Sequence, residues 1–489
     1  MKGSVTEAVL AVDLGTGSVK AVAFTPDRLE MVARASVPVG VSARRAGWAE
    51  ASPEDWLAAA GRALSECLEL CGSPSLAGIG LSGQMHGAVL CREDGTPTRP
   101  AVLWADTRSS EQAGQLKAAP VELRARLANP LVTGMAAPTL GWLVHHEPQA
   151  VNQASWALQP KDWVRLMLTG EAATEPSDAS ATLLWDLPGD GWCEEVFEVL
   201  RIPRRVVAPV RPSAGIAGKI VPEARSWSDL EPGLPVVHGG ADTACALWGT
   251  APLPPGTVQI SVGTGAQVVA ALSSPMVDGS GRTHLYRGVL PGSWYAMGAV
   301  QNAGLAFERA WRWLDVTWDE AYALSAQAPP GAAGLTFVPH LSGERTPYVD
   351  PDLRGGWLGL GLEHTRAHLV RSVLEGVAFG IREAVEALRS AGHEVTKARL
   401  VGGGTRHPVW RGLLADVLGL PLAVTARPEA SARGAARLAC LGLGIPVETP
   451  SDDVEEIVEP SIDCPRYEQA FASFRARVPI RSHPEEPSR

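Results

Sequence analysis

The stretch Val9-Leu-Ala-Val-Asp-Leu-Gly-Thr-Gly-Ser-Val-Lys-Ala-Val-Ala-Phe24 decides the fold of this chain. Two apolar runs flank a turn of glycine and hydroxyl residues, Gly15 to Ser18, and this pattern predicts a β-hairpin. Asp13 closes the first strand and Lys20 opens the second. Because glycines let the backbone approach an anion closely, the hairpin is a candidate phosphate loop. Taken alone it could equally be a plain turn.

The pattern returns in Val258 to Ala270, where Gly263-Thr264-Gly265 separates two apolar runs. Two such hairpins favour a duplicated phosphate cradle that holds successive phosphates of a nucleotide. Asp13 could anchor a magnesium ion through water, since hard cations prefer oxygen ligands. The common P-loop spacing, G-x-x-x-x-G-K-[ST], is absent from the sequence.

Composition limits the class of protein. The chain has 489 residues, 45% of them hydrophobic and 20% charged, which predicts a globular protein of two domains. The net charge of -10 argues against general nucleic-acid binding. Seven cysteines without C-x-x-C pairs predict reduced thiols and a cytoplasmic location. Without an apolar run of about 18 residues or a signal peptide, we expect no membrane association.

Prolines cluster in Ala251-Pro-Leu-Pro-Pro-Gly256, just before the second hairpin, and mark the predicted domain boundary. We expect an N-terminal domain over residues 1–250, a C-terminal domain over 251–480 and a polar tail over 481–489. The two domains are predicted to be unequal copies of one α/β architecture.

Two further turns carry candidate functional groups. The strand Pro235 to His238 runs through two glycines to Asp242 at the start of a helix. This carboxylate could accept a proton from a substrate hydroxyl, although an acid at this place is often only a helix cap. Gly402-Gly403-Gly404 joins a strand to a helix and could pack against adenine or ribose, or be only a tight connection.

Three other candidates also have ordinary alternatives. His86, next to Met85 at a strand end, could contact a ligand or be a satisfied core histidine. Trp104 could cover the apolar face of a sugar or belong to the core. Glu344 and Arg345 could be an ordinary surface pair. From the residues alone we expect an ATP-dependent enzyme with a deep interdomain cleft.

Taken together, these motifs resemble the FGGY family of carbohydrate kinases, most closely its xylulokinase branch. The resemblance spans nearly the whole chain in the family's order. It rests on Asp13-Leu-Gly-Thr-Gly-Ser-Val-Lys20, Leu81-Ser-Gly-Gln-Met-His-Gly87, Pro100-Ala-Val-Leu-Trp-Ala-Asp106, Pro160-Lys-Asp-Trp163, Ser177-Asp-Ala-Ser180, Gly239-Gly-Ala-Asp242, Ser261-Val-Gly-Thr264, Leu341-Ser-Gly-Glu-Arg-Thr-Pro347, Gly402-Gly-Gly404 and Ala415-Asp-Val-Leu-Gly419.

The resemblance implies two domains of the actin, hexokinase and Hsp70 type (ribonuclease H-like), which close over a sugar and Mg-ATP. It implies that Asp242 is the catalytic base and that Asp13 and Asp242 hold Mg²⁺. The implied sugar-binding residues are Met85, His86, Trp104, Asp106 and Asp242. The implied ATP-binding residues are Gly15, Thr16, Gly17, Ser18, Lys20, Gly263, Thr264, Gly304, Gly403, Gly404 and Thr405.

The implied reaction is transfer of the γ-phosphate to a ketopentose, D-xylulose, at O5, and a homodimer would fit the family. Three departures concern substrate identity more than reaction type: Thr139 replaces a lysine, Thr405-Arg406-His407 is unusual, and Gly17-Ser18 inverts the common order. Alternatives are a kinase for ribulose, erythritol or a sugar acid, an ATP-driven conformational protein like Hsp70 or actin, and a catalytically silent sugar-binding regulator.

Overall fold

The structure is a computed structural model, and it describes residues 7–402, 404, 407–425, 428–451 and 454–478. The predicted polar tail, 481–489, lies outside these residues. Each half of the chain builds a seven-stranded mixed sheet with helices packed on its faces. This two-domain α/β arrangement confirms the predicted fold class.

The strands and helices of the first half are β1 (Glu7–Leu14), β2 (Ser18–Phe24), β3 (Met31–Pro38), β4 (Glu50–Ala51), α1 (Pro53–Cys71), β5 (Ser75–Gly83), β6 (Val89–Cys91), β7 (Ala101–Val102), α2 (Ser110–Lys117), α3 (Val121–Leu127), α4 (Ala136–His146), α5 (Pro148–Gln153), β8 (Trp156–Leu158), α6 (Pro160–Thr169), α7 (Pro176–Ala179), β9 (Trp185–Asp186), β10 (Gly191–Trp192), α8 (Glu194–Val199), β11 (Ile216–Lys219), α9 (Arg225–Ser228), β12 (Pro235–Val237), β13 (Gly240–Ala241) and α10 (Asp242–Trp248).

Those of the second half are β14 (Thr257–Val262), β15 (Ala266–Leu272), β16 (His284–Arg287), β17 (Trp294–Val300), α11 (Gly304–Leu314), α12 (Trp318–Ser325), β18 (Thr336–Val338), β19 (Gly356–Leu358), α13 (Arg366–Ser390), β20 (Lys397–Val401), α14 (Pro408–Leu418), β21 (Leu422–Thr425), α15 (Ala430–Gly442), β22 (Val454–Val458) and α16 (Cys464–Arg477). Short 3₁₀ turns lie at Arg204–Val206, Pro222–Ala224 and Ala332–Gly334.

The first sheet has the order β11-β12-β5-β1-β2-β3, with β13 beside β5. Strands β1, β2 and β3 form an antiparallel meander, and β5 runs parallel to β1. Successive residues of β1 alternate between two apolar cores, because helices cover both faces of the sheet. The apolar run that predicts β1 is therefore the signature of a central strand.

The second sheet, β16-β17-β15-β14-β20-β21-β22, repeats this plan. Strands β14 and β15 form the second hairpin, β17 continues the meander, and β20 runs parallel to β14. In both halves a Gly-Thr-Gly turn thus joins the first two strands of a meander, and a parallel strand lies on the other side. The predicted duplication of architecture is present in the fold.

Helix α15 comes late in the chain but packs against β1 and β5 of the first sheet. The contact is close because a glycine meets a backbone: a Cβ on Gly80 would lie 1.9 Å from the carbonyl oxygen of Ala435. The peptide between α10 and β14 holds the predicted boundary near residue 250. We keep the division into 1–250 and 251–480 as a proposal, since α15 shares its core with the first half.

All seven cysteines are free thiols, and five of them are buried. Within the described ranges, no helix combines the length and the apolar character that crossing a membrane requires.

Candidate active site

Asp242 is the first residue of α10 and lies where three parallel strands end. In the register of the sheet, Asp13 pairs with Ser82 and Gly240 pairs with the same Ser82. The carboxyl ends of β1, β5 and β13 therefore meet at one edge, which is where α/β proteins usually place functional groups. This edge brings Asp13 and Asp242 together, although the two residues are far apart in the sequence.

The Asp242 carboxylate is half-buried, and its Oδ1 accepts hydrogen bonds from the Thr243 backbone N–H (2.5 Å) and hydroxyl (3.1 Å). Burial, and next the negative charge of Asp13, raise the pKa of Asp242 to about 6. A carboxyl group with this pKa is largely ionised at neutral pH but holds a proton better than an ordinary aspartate. Asp242 is therefore suited to accept a proton at neutral pH.

Asp13 is held by two neighbours. Its Oδ1 accepts a hydrogen bond from the Ser82 hydroxyl (2.9 Å), and its Oδ2 lies 3.5 Å from Lys20 Nζ. Lys20 Nζ also lies 2.9 Å from Glu429 Oε2. Burial would lower the pKa of Lys20, but Asp13 and Glu429 together raise it. Glu429 is a member of this cluster that the sequence analysis missed, because no local pattern links it to Lys20.

The first Gly-Thr-Gly loop is attached to the segments expected to bind the sugar. The Thr16 hydroxyl donates to Gln84 Oε1 (3.1 Å) and accepts from Trp104 Nε1 (2.9 Å). A hydrogen bond from Gly15 N–H to the Ser18 carbonyl (3.0 Å) closes the turn. Two predicted site residues, Thr16 and Trp104, are thus in direct contact. Gln84, which precedes Met85, also contacts the loop through Thr16.

The second loop carries Gly263 and Thr264 at an exposed tip, with Gly263 N–H bonded to the Gly265 carbonyl (2.8 Å). The first residue of α11, Gly304, donates to the Gly263 carbonyl (3.0 Å), and a Cβ on Gly304 would lie 2.4 Å from that oxygen. Only glycine allows this approach. Gly304 therefore packs directly against the backbone of the second loop.

The predicted adenosine turn is described only in part. A Cβ on Gly404 would lie 2.6 Å from the Val262 carbonyl oxygen, so this glycine packs against the strand that leads into the second loop. Gly403 and Thr405 lie outside the described residues, and their proposed contacts with adenosine stay predictions.

His86 is buried, and its protonation state follows from its contacts. Its Nδ1 lies 2.7 Å from the Ala181 carbonyl oxygen, and because a carbonyl only accepts, Nδ1 carries the hydrogen. Burial, and next the positive charge of Arg345, lower the pKa of His86 to about 3, so the ring is neutral. Nε2 is then the acceptor nitrogen and suits a hydroxyl donor. Beside it, the Tyr295 hydroxyl lies 3.7 Å from Met85 Sδ.

Glu344 and Arg345 are not an ordinary surface pair. Glu344 is 3% exposed, and its Oε2 lies 3.0 Å from His340 Nδ1. The Arg345 guanidinium donates to the Trp104 carbonyl oxygen (3.0 Å) and lies 5.2 Å from the centre of the Trp104 ring. Arg345 therefore connects the second half of the chain to the Trp104 segment. The Leu341 to Pro347 motif draws attention to Arg345 in the sequence, but it does not indicate that Trp104 is the contact of Arg345.

Asp106, for which the resemblance implies sugar binding, already has protein partners for both carboxylate oxygens. Its Oδ1 accepts from the Arg108 backbone N–H (3.0 Å) and Nε (2.9 Å), and its Oδ2 accepts from Ala49 N–H (2.6 Å) and Arg108 Nη2 (2.7 Å). A carboxylate offers about four lone-pair sites, and these four bonds use them. Asp106 thus fixes the peptide that follows Trp104 and has no ready capacity for a sugar hydroxyl.

Comparison with known proteins gives a consistent result. Residues 8–249 match the N-terminal domain, and residues 258–443 the C-terminal domain, of the FGGY family of carbohydrate kinases. The chain is 31% identical over 488 residues to a xylulose kinase of Staphylococcus epidermidis, covering 96% of each chain. It is 31% identical over 445 residues to a xylulose kinase of Bacillus subtilis, covering 89% of this chain and 88% of the relative.

The fold comparison agrees. The crystal structure of xylulose kinase from Rhodospirillum rubrum superimposes with a TM-score of 0.84 at 29% identity, covering 96% of this chain and 98% of the other.

Proposed function

This chain belongs to the FGGY family of carbohydrate kinases, and we propose that the sugar to which it transfers phosphate from ATP is D-xylulose. Two observations support this acceptor. Relatives that are 31% identical over most of the chain carry the name xylulose kinase. The segment Gln84-Met85-His86 offers a neutral acceptor nitrogen beside an apolar sulfur, a combination suited to a sugar with hydroxyl groups and C–H faces.

The observation that carries the mechanism is that Asp13 and Asp242 lie at the same sheet edge, where β1, β5 and β13 end. In the proposal, Asp242 accepts the proton of the terminal O5 hydroxyl as that oxygen attacks the γ-phosphorus and ADP leaves. The raised pKa of Asp242 supports this role. The two Gly-Thr-Gly loops and Lys20 hold the phosphates, and Gly304 and Gly404 support the second loop.

The residues present fit a magnesium ion. Asp13 and Asp242 offer two carboxylates at the same sheet edge. This suits Mg²⁺, which is usually held by one or two carboxylates together with substrate phosphates and water. When bound, Mg²⁺ would neutralise charge on the phosphates. Asp13, fixed by Ser82, and Asp242 are its proposed ligands.

A panel of acceptors tests the proposed substrate. The full chain is assayed with Mg-ATP for ADP release in the presence of D-xylulose, ribulose, erythritol, glycerol, gluconate or no sugar. We expect the highest kcat/KM with D-xylulose and almost no ADP release without an acceptor. A higher kcat/KM with another compound would reassign the acceptor. A rate of ADP release that does not depend on added sugar would instead favour an ATP-driven conformational protein of the Hsp70 or actin kind.

Replacing His86 by alanine is expected to damage sugar binding selectively. The variant loses the Nε2 acceptor and a buried ring, so KM for D-xylulose should rise about 10-fold, the size of one lost hydrogen bond in a buried site. KM for ATP should stay nearly constant. The matched control is His393→Ala, since His393 is buried to a similar degree, 6% exposed against 5% for His86, and lies outside the proposed site. A change in ATP affinity alone would refute the sugar-site role of His86.

A further inference from the structure

Two motifs of this chain, Pro160 to Trp163 and Ser177 to Ser180, have no part in the proposed chemistry. In the structure they meet in a buried charge network, which we define as Lys161, Asp162, Arg165, Glu175 and Asp178. All five side chains have no solvent exposure. Lys161 Nζ lies 2.7 Å from Asp162 Oδ1, 2.9 Å from Asp178 Oδ2 and 3.4 Å from Glu175 Oε1.

Such a network is weak evidence for stability, because removing five ionisable groups from water costs about as much as their attraction returns. Burial, acting against the charge of Lys161, raises the pKa of Asp178 well above the usual range. Lys161 contacts all three carboxyl groups, and Arg165 Nη1 lies 2.6 Å from Asp162 Oδ1. These contacts fix the orientation of the side chains in the network, including that of Glu175.

Glu175 directs its carboxylate toward four donors. It accepts from the backbone N–H groups of Ser177 (2.8 Å) and Asp178 (2.9 Å), from the Ser177 hydroxyl (2.7 Å) and from the Ser213 hydroxyl (2.8 Å). The Ser177 hydroxyl hydrogen is therefore committed to Glu175. This leaves the lone pairs of Ser177 Oγ facing the other way.

Those lone pairs accept a hydrogen bond from the backbone N–H of Ala241, at 2.9 Å. Ala241 is the residue immediately before Asp242 and ends β13, a strand of two residues that also pairs with β5. Such a short strand has few other bonds to fix its position. The hydrogen bond between Ser177 and Ala241 thus connects the buried charge network to the residue before the proposed base.

We infer that Ser177, oriented by Glu175, is a positioning residue that holds Asp242 in place for proton transfer. The inference rests on the proposed function, in which Asp242 is the base. Without the Ser177 hydroxyl, the Ala241 amide loses its partner in a buried site, and the two-residue strand can shift. A displacement near 1 Å at a reacting group can cost about 100-fold in rate, so even a partial shift should be measurable.

The test is Ser177→Ala in the full chain, with Ser228→Ala as the matched control. Ser228 is equally buried, and its hydroxyl likewise donates to an acceptor (Ala224 carbonyl, 2.7 Å) and accepts from a backbone N–H (Leu230, 3.4 Å), but it lies at the end of α9. We expect kcat of Ser177→Ala to fall about 10-fold, with KM for D-xylulose and ATP changed by less than about 2-fold. Ser228→Ala should lower Tm comparably and keep kcat.

The inference is overturned if Ser177→Ala lowers Tm but keeps kcat, or if it raises KM alone. Should Ser177→Ala fail to fold, Ser213→Ala decides, because it removes one donor from Glu175 without touching Ala241. For Ser213→Ala we expect kcat to fall about 3-fold, and an unchanged kcat would refute the inference. Asp242→Asn is measured alongside. If that variant were fully active, the proposed function itself would fail, whereas an inactive Asp242→Asn with a normal Ser177→Ala removes only the positioning role.

Discussion

Replacement of Asp242 by asparagine is expected to lower kcat about 100-fold or more while ATP still binds. Asparagine keeps the size of the side chain and an oxygen that can accept the Thr243 hydrogen bonds, but it cannot take a proton from the sugar hydroxyl. Turnover measured by ADP release, together with ATP affinity from a direct binding titration, separates the loss of the base from a loss of the site. Near-normal turnover would contradict the role of Asp242.

The pH profile supplies the second half of this test. Because Asp242 works as a carboxylate and its pKa is raised to about 6, kcat/KM of the unmodified protein should fall as the pH drops through about 6. An ordinary aspartate would keep activity down to about pH 4. In Asp242→Asn the residual activity should lack this acidic limb. An acidic limb that persists in the variant would assign the titration to another group.

Replacement of Lys161 by methionine is expected to lower the free energy of unfolding by about 3–5 kcal/mol. Methionine fills a similar volume, but Asp162 and Glu175 are then left in the buried charge network with Arg165 as the remaining cation. Burial alone would lower the pKa of Lys161, yet Asp162, Asp178 and Glu175 together raise it, so the acidic groups around Lys161 favour its charged form. Urea unfolding followed by circular dichroism measures the loss.

The matched substitution is Lys397→Met, since Lys397 is exposed at the start of β20. A surface change of this kind usually alters stability by less than about 0.5 kcal/mol. If Lys161→Met were no more destabilising than Lys397→Met, the buried charge network would not need its lysine.

Some features of the site follow from local sequence alone. The glycines of both turns and the apolar runs around them specify hairpins wherever they occur, because strand alternation and turn geometry act over a few residues. The same holds for Asp242, since a strand, two glycines and an acid already predict a turn into a helix. The apolar spacing of His368 to Leu388 likewise predicts a long helix, and α13 (Arg366–Ser390) extends two residues beyond each of these bounds.

Other features could not be read from the sequence, because their partners are distant in the chain. The pairing of Lys20 with Glu429, the reach of Arg345 to Trp104 and the link from Ser177 to Ala241 each join separate segments. The same holds for the four hydrogen bonds that the Asp106 carboxylate accepts. Its neighbour Arg108 is visible in the sequence, but only the folded chain brings the Ala49 amide to the same carboxylate.

The sequence by itself determined the two Gly-Thr-Gly hairpins and the duplicated architecture, because these depend on short-range patterns that occur twice in the chain. The class of reaction was implied by the resemblance of the motifs to a known family. The tertiary structure decided which polar groups remain available for chemistry. It places Asp13 and Asp242 at one edge, commits Asp106 to Arg108, and leaves His86 neutral with Nε2 as its acceptor. The physical reason is that a side chain's charge and free lone pairs are set by burial and by its neighbours in space, which no local pattern records.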